Sequence, residues 1–461
     1  MEQIWINQSD TKSNRNKTKK KGLLIPSQVL VLGFAVMILV GALLLTIPQA
    51  TVDGKGLPLL DAIFTSTSSA CVTGLVVVDT GTFFTIFGQV IILILIQMGG
   101  LGFMTFATLF AIILGRKISF KERLLLQEAL NQVSLEGIVR LAKYIIQVAL
   151  LIEGFGAIIL TLRWQTELGW GRALYFGIFH SVSGFNNAGF DLFGNFNSLV
   201  GYQNDVITNM TMIVLIITGG FGFAVLSDLY VNKGRNLTLH TKVVLHISSL
   251  LIIIGAVVIL ILEFNNQATM GGLDPLSKLL TSLFQSVTPR TAGFNTIAIS
   301  EMRDTTHLFL MLLMFIGASP GSTGGGIKTT TFVTIALYVK STLKGNCQVT
   351  LQERSIPKDI IQKAITITFL SMLLIFIVTM FLTITEGSDF IGLLFETISA
   401  FGTVGLSLGV TPELSNIGRV AIICTMFCGR VGPLTLVFAL SQKGNKGVKN
   451  IKYPEDRMII G

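Results

Sequence analysis

The chain has 461 residues, of which 51% are hydrophobic and 13% charged, with a formal net charge of +9. A soluble domain carries about 25% charged residues, so this composition leaves too little polar surface to cover a water-soluble globule. The basic excess sits in tails and short loops, with no soluble domain interleaving it with aromatics, which excludes nucleic-acid binding as its purpose.

Eight apolar runs nearly free of charge follow one another: Leu30–Ile47, Val90–Leu114, Ile145–Leu162, Met210–Leu226, Val243–Leu262, Phe309–Ala318, Ala364–Thr385 and Val420–Leu440. About 20 apolar residues span the ~30 Å hydrocarbon core as a helix. The expectation is an all-α membrane protein with eight membrane helices, of which Phe309–Ala318 is half a span before an interruption. The first run is longer than the roughly 7–15 residues of a cleaved signal segment and ends at Ile47-Pro48, so it reads as a retained helix. Cys71, Cys424 and Cys428 lie in apolar segments and Cys347 in a basic loop, which suits packing and gives no disulfide framework.

Lys and Arg alternate from loop to loop. Six lie between Lys12 and Lys21, four in Arg116–Arg123, three in Lys233–Lys242, five in Lys340–Lys363 and five in Lys443–Arg457. The alternate loops together hold six: Lys55, Arg163, Arg172, Lys278, Arg303 and Arg419. The positive-inside rule then puts both termini in the cytoplasm of a multi-pass protein of the cell membrane. The polar, charged residues 1–22 are expected to be disordered, and a large regulatory domain would have to be a separate chain.

Between the apolar runs four segments repeat: DAIFTSTSSACVTGL, FGIFHSVSGFNNAGF, LTSLFQSVTPRTAGF and GLLFETISAFGTVGL. Each has an aromatic (Phe64, Phe179, Phe284, Phe395), a Ser/Thr-rich stretch, and a glycine (Gly74, Gly189, Gly293, Gly405) at a spacing of 10, 10, 9 and 10 residues. The predicted organisation is a basic tail (1–24), repeat one (25–115), repeat two (136–232), repeat three (240–344), repeat four (358–440) and a second basic tail (441–461). Each repeat is a membrane helix, a re-entrant half-length helix, an extended glycine-containing stretch and a second membrane helix. Backbone that is not helical is tolerated at membrane depth only where it is buried in protein or lines water. Four such stretches around one axis would offer rings of carbonyl oxygens to a dehydrated cation. The presumed filter holds no Asp or Glu, which fits a monovalent ion better than Ca²⁺ or Mg²⁺. Close helix packing by Gly and Ser would explain one such motif, but not four in register with the topology.

The stretches FQSVTPRTAGFN (Phe284–Asn295) and GASPGSTGGGIKTTT (Gly317–Thr331) resemble the Trk/Ktr/HKT superfamily of potassium transporters, most closely its KtrB-type branch. The resemblance covers almost the whole chain. It implies a filter glycine at Gly74, Gly189, Gly293 and Gly405, flanked by Val72, Thr73, Asn187, Ala188, Thr291, Ala292, Thr403 and Val404. A glycine at the first position, where some sodium-preferring relatives have serine, leans toward K⁺, with Na⁺ involvement possible. The resemblance also implies a homodimer with one pore per monomer, seated on a cytosolic KtrA-type ring with nucleotide-binding RCK domains, and no cofactor beyond the transported ion.

Proline and five glycines within Gly317–Gly326 cannot hold a helix. That break, 24 residues after Gly293, is expected to act as a gate built from Ser319, Pro320, Gly321, Ser322, Thr323, Gly324, Gly325 and Gly326, with Lys328 a weaker candidate that would reach the cytoplasmic interface. It lacks the Lys after glycine of a phosphate-binding loop, having Ile327 instead. Arg430, in an otherwise apolar helix, lies at matching depth and is expected to face the ion path or tether the loop. Arg290 is expected to brace the filter backbone. GGLGF (Gly99–Phe103) and GGFGF (Gly219–Phe223) read as packing surfaces or slight kinks, and His180 as a residue beside a pore helix. Scattered Asp and Glu form no acid/base pair, so no enzyme activity is expected. A secondary transporter for an organic solute is the other class considered, but such folds are often built from inverted repeats, whereas these repeats share one orientation.

Overall fold

The computed structural model describes residues 26–114, 116, 118–130, 137–346 and 348–440. Both basic tails, and with them the expected disorder of residues 1–22, lie outside the described residues, as does Cys347. Four times the chain runs through a long helix, a short helix, a loop and a broken helix. The first passage is α1 (Pro26–Leu45), α2 (Leu59–Cys71), the single turn α3 (Thr80–Phe83), then α4 (Ile86–Leu101) and α5 (Phe103–Ile113). A connecting helix α6 (Phe120–Ala129) leads to α7 (Ile138–Leu168), α8 (Trp170–Phe185), α9 (Val206–Gly220) and α10 (Phe223–Val231). Next come α11 (Leu239–Glu263), α12 (Pro275–Val287), α13 (Asp304–Phe315) and α14 (Thr329–Leu343), then a two-stranded hairpin, Thr350–Leu351 with Arg354–Ser355. The last are α15 (Lys358–Thr385), α16 (Phe390–Gly402), α17 (Asn416–Val431) and α18 (Pro433–Leu440).

Among the described residues α1, α7, α11 and α15 are long and apolar enough to cross a membrane. Large apolar side chains such as Leu43, Leu151, Ile253 and Phe376 stand exposed on them, as lipid contact requires. The sequence predicts an interruption only in the third passage. In the structure the second helix is broken in all four, at Gly102, Gly222, residues 316–328 and Gly432, and α9 and α10 meet at 97°. Gly222 has φ +90, and a Cβ there would lie 2.5 Å from the Pro320 carbonyl oxygen. A packed neighbour therefore holds this bend in place, and the two GG-containing motifs are hinges as well as packing surfaces.

The short helices are pinned inside the molecule by the residues that make the sequence repeat. Phe64, Phe179, Phe284 and Phe395 are all 0% exposed. Two residues further on, Ser66, Ser181 and Ser286 donate to the long-helix carbonyls of Ile38, Glu153 and Ile252 at 2.6–2.7 Å. Glycines let the backbones close to that distance: a Cβ on Gly41 or Gly156 would lie 2.5 Å from the Ser66 or Ser181 hydroxyl. In the fourth passage Thr397 instead satisfies its own helix at Leu393.

First and last passages are joined by Arg419 of α17, which donates to Asp61 of α2 at 2.5 Å and to the Pro412 carbonyl at 3.1 Å. Hydrogen bonds to charged groups contribute about 1.5–3 kcal/mol. Arg419→Ala is expected to lower the thermal midpoint of the detergent-solubilised protein by several degrees. An unchanged melting curve would mean that this closure contributes nothing.

Candidate functional site

Each short helix ends in a loop that alternates backbone handedness. Val72, Asn187, Thr291 and Thr403 have φ of +58, +58, +75 and +49, and two residues later Gly74, Gly189, Gly293 and Gly405 have φ of +89, +72, +77 and +91. Left-handed backbone costs an ordinary residue about 1–2 kcal/mol, and hydrogen bonds hold it here. Ser68 and Ser399 accept from the N–H of Gly74 and Gly405 at 3.1 Å, while Ser183 and Thr288 donate to the carbonyls of Phe190 and Phe294 at 2.8 and 2.5 Å. Val72, Thr73, Asn187, Ala188, Thr291, Ala292, Thr403 and Val404 are all 0% exposed.

The four loops meet. A Cβ built on Gly74 would lie 2.6 Å from the Ala188 carbonyl oxygen and 3.1 Å from Gly189 Cα, and one on Gly189 would lie 2.8 Å from the Ala292 oxygen and 3.1 Å from Gly293 Cα. Likewise Gly293 faces the Val404 carbonyl and Gly405, and Gly405 faces the Thr73 carbonyl and Gly74. The glycines thus form a closed ring in the order 74, 189, 293, 405. One cavity of about 470 Å³ is lined by all four glycines together with Asp79, Asp191 and Glu413. Burial, and then the neighbouring Asp79 charge, push the Asp191 carboxyl up to about 7.

On the other side of the ring lies the segment 316–328. Its two ends pair, Gly317 N–H donating to the Ile327 carbonyl at 2.9 Å and Thr329 N–H to Ala318 at 3.3 Å. Its tip rests against three of the four passages. Ser319 and Thr323 N–H groups donate to Gly220 and Gly219 carbonyls at 3.1 and 3.3 Å, and Phe223 N–H donates back to Gly321 at 3.0 Å. Gly325 N–H donates to the Thr403 hydroxyl at 3.0 Å. A Cβ on Gly324 would strike the Thr291 side chain, so the segment sits directly under the third and fourth loops. Pro320 and Gly326 lie in the same stretch, and the Ser322 hydroxyl closes it on the Ser319 carbonyl at 2.6 Å.

Arg430, from α17, clamps this segment to the first passage. Its guanidinium donates to the carbonyls of Thr323 and Gly99, and to Gly100 at 3.2 Å. Among the described residues no carboxylate forms an ion pair with it, so its charge is compensated by carbonyl dipoles alone.

The Lys328 ammonium folds back onto the carbonyls of Gly324 and Gly325 at 2.6 and 3.5 Å. One expectation is corrected. Arg290 does not brace filter backbone; it donates to the Ser248 hydroxyl of α11 at 3.0 Å. Further, His180 lies within α8, not beside it. Sequence reasoning also missed Glu153, 4% exposed, which accepts from Gln97 at 2.9 Å and Asn186 at 3.0 Å. A lone Glu in an apolar run was the available signal.

The TrkH family of cation transport proteins matches residues 1–447. The Ktr system potassium uptake protein B of Bacillus subtilis is 46% identical over 95% of this chain and 97% of its own length. The potassium/sodium uptake protein NtpJ of Enterococcus hirae is 40% identical over 96% of this chain and 99% of its own length. Among solved structures, the potassium transporter TrkH from Vibrio parahaemolyticus superposes with a TM-score of 0.73 at 19% identity, covering 93% of this chain and 87% of that one.

Proposed function

This chain belongs to the TrkH family of cation transport proteins, and we propose that it is the ion-translocating membrane subunit of a potassium uptake system, with the four glycine loops as its selectivity filter and the segment 316–328 as its gate. The observation that carries this reading is the closed ring of Gly74, Gly189, Gly293 and Gly405 beneath one cavity. In an extended strand successive carbonyls point to opposite sides. Placing a left-handed residue at every second position turns them to the same side, as a ring of ion ligands needs. The C-terminal, partially negative ends of α2, α8, α12 and α16 lead into the ring, so a cation is favoured there without a fixed carboxylate. The ring itself offers no carboxylate of the kind that holds Ca²⁺ or Mg²⁺.

In this reading four tandem repeats contribute eight membrane segments and four re-entrant helices, and both termini face the cytoplasm. K⁺ passes from the cavity through the ring and meets the gate, where Arg430 holds the segment closed. The relatives named potassium and potassium/sodium uptake proteins support K⁺ as the cargo, with Na⁺ as a second ion. The relative's place in a Ktr system supports assembly with further components, which we take to be a second copy of this chain and a cytosolic nucleotide-binding ring. Transport of an organic solute has no support from the relatives, which are named for potassium and sodium uptake. Expression in a bacterium lacking its potassium uptake systems is expected to restore growth at low external potassium. Failure of a correctly inserted protein to do so, with or without its nucleotide-binding partner, would end this reading.

A further inference from the structure

The residue after the buried phenylalanine of each short helix is polar in all four passages: Thr65, His180, Gln285 and Glu396, each at most 1% exposed. Two of them reach across to the strand beyond the glycine. His180 Nδ1 lies 2.8 Å from the Phe176 carbonyl, which puts the ring proton there, and its Nε2 accepts the Leu192 N–H at 3.3 Å. Glu396 Oε1 accepts the Leu408 N–H at 3.2 Å and also the Ser407 hydroxyl, while Oε2 accepts the Thr411 hydroxyl at 2.7 Å. Leu192 and Leu408 each stand three residues after their glycine, so the same backbone bond is made twice by different side chains. The other two positions make no such bond. Neither end of the Gln285 amide has a hydrogen-bond partner among the described residues, nor does the Thr65 hydroxyl. The hydroxyl of Thr296, three residues after Gly293, is likewise unpaired.

The ring order 74, 189, 293, 405 makes the two braced loops diagonal partners, and the two unbraced loops the other diagonal. We infer that His180 and Glu396 are positioning residues that hold one diagonal of the ring at a fixed opening, and that this diagonal sets the discrimination between K⁺ and Na⁺. The inference rests on the reading of the ring as the filter. A carbonyl ring separates two ions of equal charge by how closely, and with how many oxygens, it can approach them. A loop held to its short helix at a second point, beyond the glycine, cannot follow the smaller ion inward without giving up that bond. The loops of Gly74 and Gly293 lack that second tie and have only the bonds of Ser68 and Thr288 to their own helices; the Gly293 loop is held sideways instead, through Thr291 to Asn187 at 3.2 Å and through Asn295 to Ser198 and Leu199 at 3.2 and 2.9 Å.

The test is K⁺ and Na⁺ flux through purified protein in liposomes. Absence of K⁺ flux in the wild type, with or without its nucleotide-binding partner, would defeat the proposed function itself; the variants test the braces. His180→Leu and Glu396→Leu are expected to raise the Na⁺-to-K⁺ flux ratio by about fivefold, the factor carried by roughly one lost hydrogen bond. Glu396→Gln keeps an oxygen for the Leu408 N–H, and the Thr411 hydroxyl can turn to accept from its amide, so its ratio is expected to stay near wild type. Thr65→Val and Gln285→Leu are expected to leave the ratio unchanged. The inference is overturned if both leucine variants keep the wild-type ratio, if Gln285→Leu shifts it as far, or if Glu396→Gln is as damaging as Glu396→Leu. Should a leucine variant fail to fold, Thr411→Val and Ser407→Ala loosen the same brace from the loop side; a raised ratio supports it and an unchanged ratio overturns it.

Discussion

Replacing Gly189 by alanine is expected to lower potassium uptake by about tenfold or more while leaving the protein folded and inserted. The residue has φ +72, and its new Cβ would lie 2.8 Å from the Ala292 carbonyl oxygen and 3.1 Å from Gly293 Cα. Left-handed backbone alone costs alanine about 1–2 kcal/mol, and each 1.4 kcal/mol is about a factor of ten. The larger effect is geometric. The contact lies on the next loop, so relief of the clash moves a carbonyl of the proposed filter, and every loop abuts its neighbour around the ring. A matched control is available, because a methyl group on Gly154 would meet nothing within 4 Å and Gly154→Ala should transport normally. The measurement is initial uptake rate per inserted protein at low potassium. A Gly189→Ala protein that matches wild type in rate and ion preference would show that these glycines line no ion path.

The four glycine loops were legible because their chemistry is local. An aromatic anchor, a hydroxyl that ties the loop, and a glycine at a fixed offset all fall within a dozen residues, so the same string announces itself four times. The four buried phenylalanines and the bonds of Ser68, Ser183, Thr288 and Ser399 give that string its physical meaning. At Gly102 and Gly222 the sequence suggested at most slight kinks, and the hinge at Gly432 was not legible. Glycine is common in membrane helices for packing reasons, and what seats the bend at Gly222 is the bond of the Phe223 N–H to the Gly321 carbonyl, nearly a hundred residues away. The partners of Arg290 and Lys328 were hidden for a related reason. A long cationic side chain can reach several turns in any direction, and only the packed structure shows that one ends on Ser248 and the other on its own loop. His180 could be seen in the sequence as polar and near a pore helix; its role as a brace depends on Leu192 lying behind it.

Excising Ser319–Gly325 is expected to raise cation flux, and Arg430→Ala to raise it by a smaller factor. The structure explains why the first change should be tolerated. Gly317 already pairs with Ile327, and a Cβ on Gly317 would stand 3.2 Å from Gly326 Cα. The flanks of the excised tip therefore already run side by side, with Ile316 bridging Ile327 in parallel register and Thr329 N–H bonded to the Ala318 carbonyl, which keeps α13 and α14 together. What is lost is the tip that sits under Thr291 and Thr403, directly in line with the ring. Arg430→Ala leaves the tip in place but removes the donors that tie Thr323 to Gly99 and Gly100. Losing a hydrogen bond to a charged group shifts an equilibrium by about 1.5–3 kcal/mol, so the open fraction should grow by roughly ten- to a hundredfold where closure dominates. The seat formed by Gly219, Gly220 and Thr403 remains, which is why the deletion should have the larger effect. Flux measured in liposomes at low potassium distinguishes the alternatives. If both variants fold and neither conducts more than wild type, the segment is a structural plug between helices and the gate lies elsewhere.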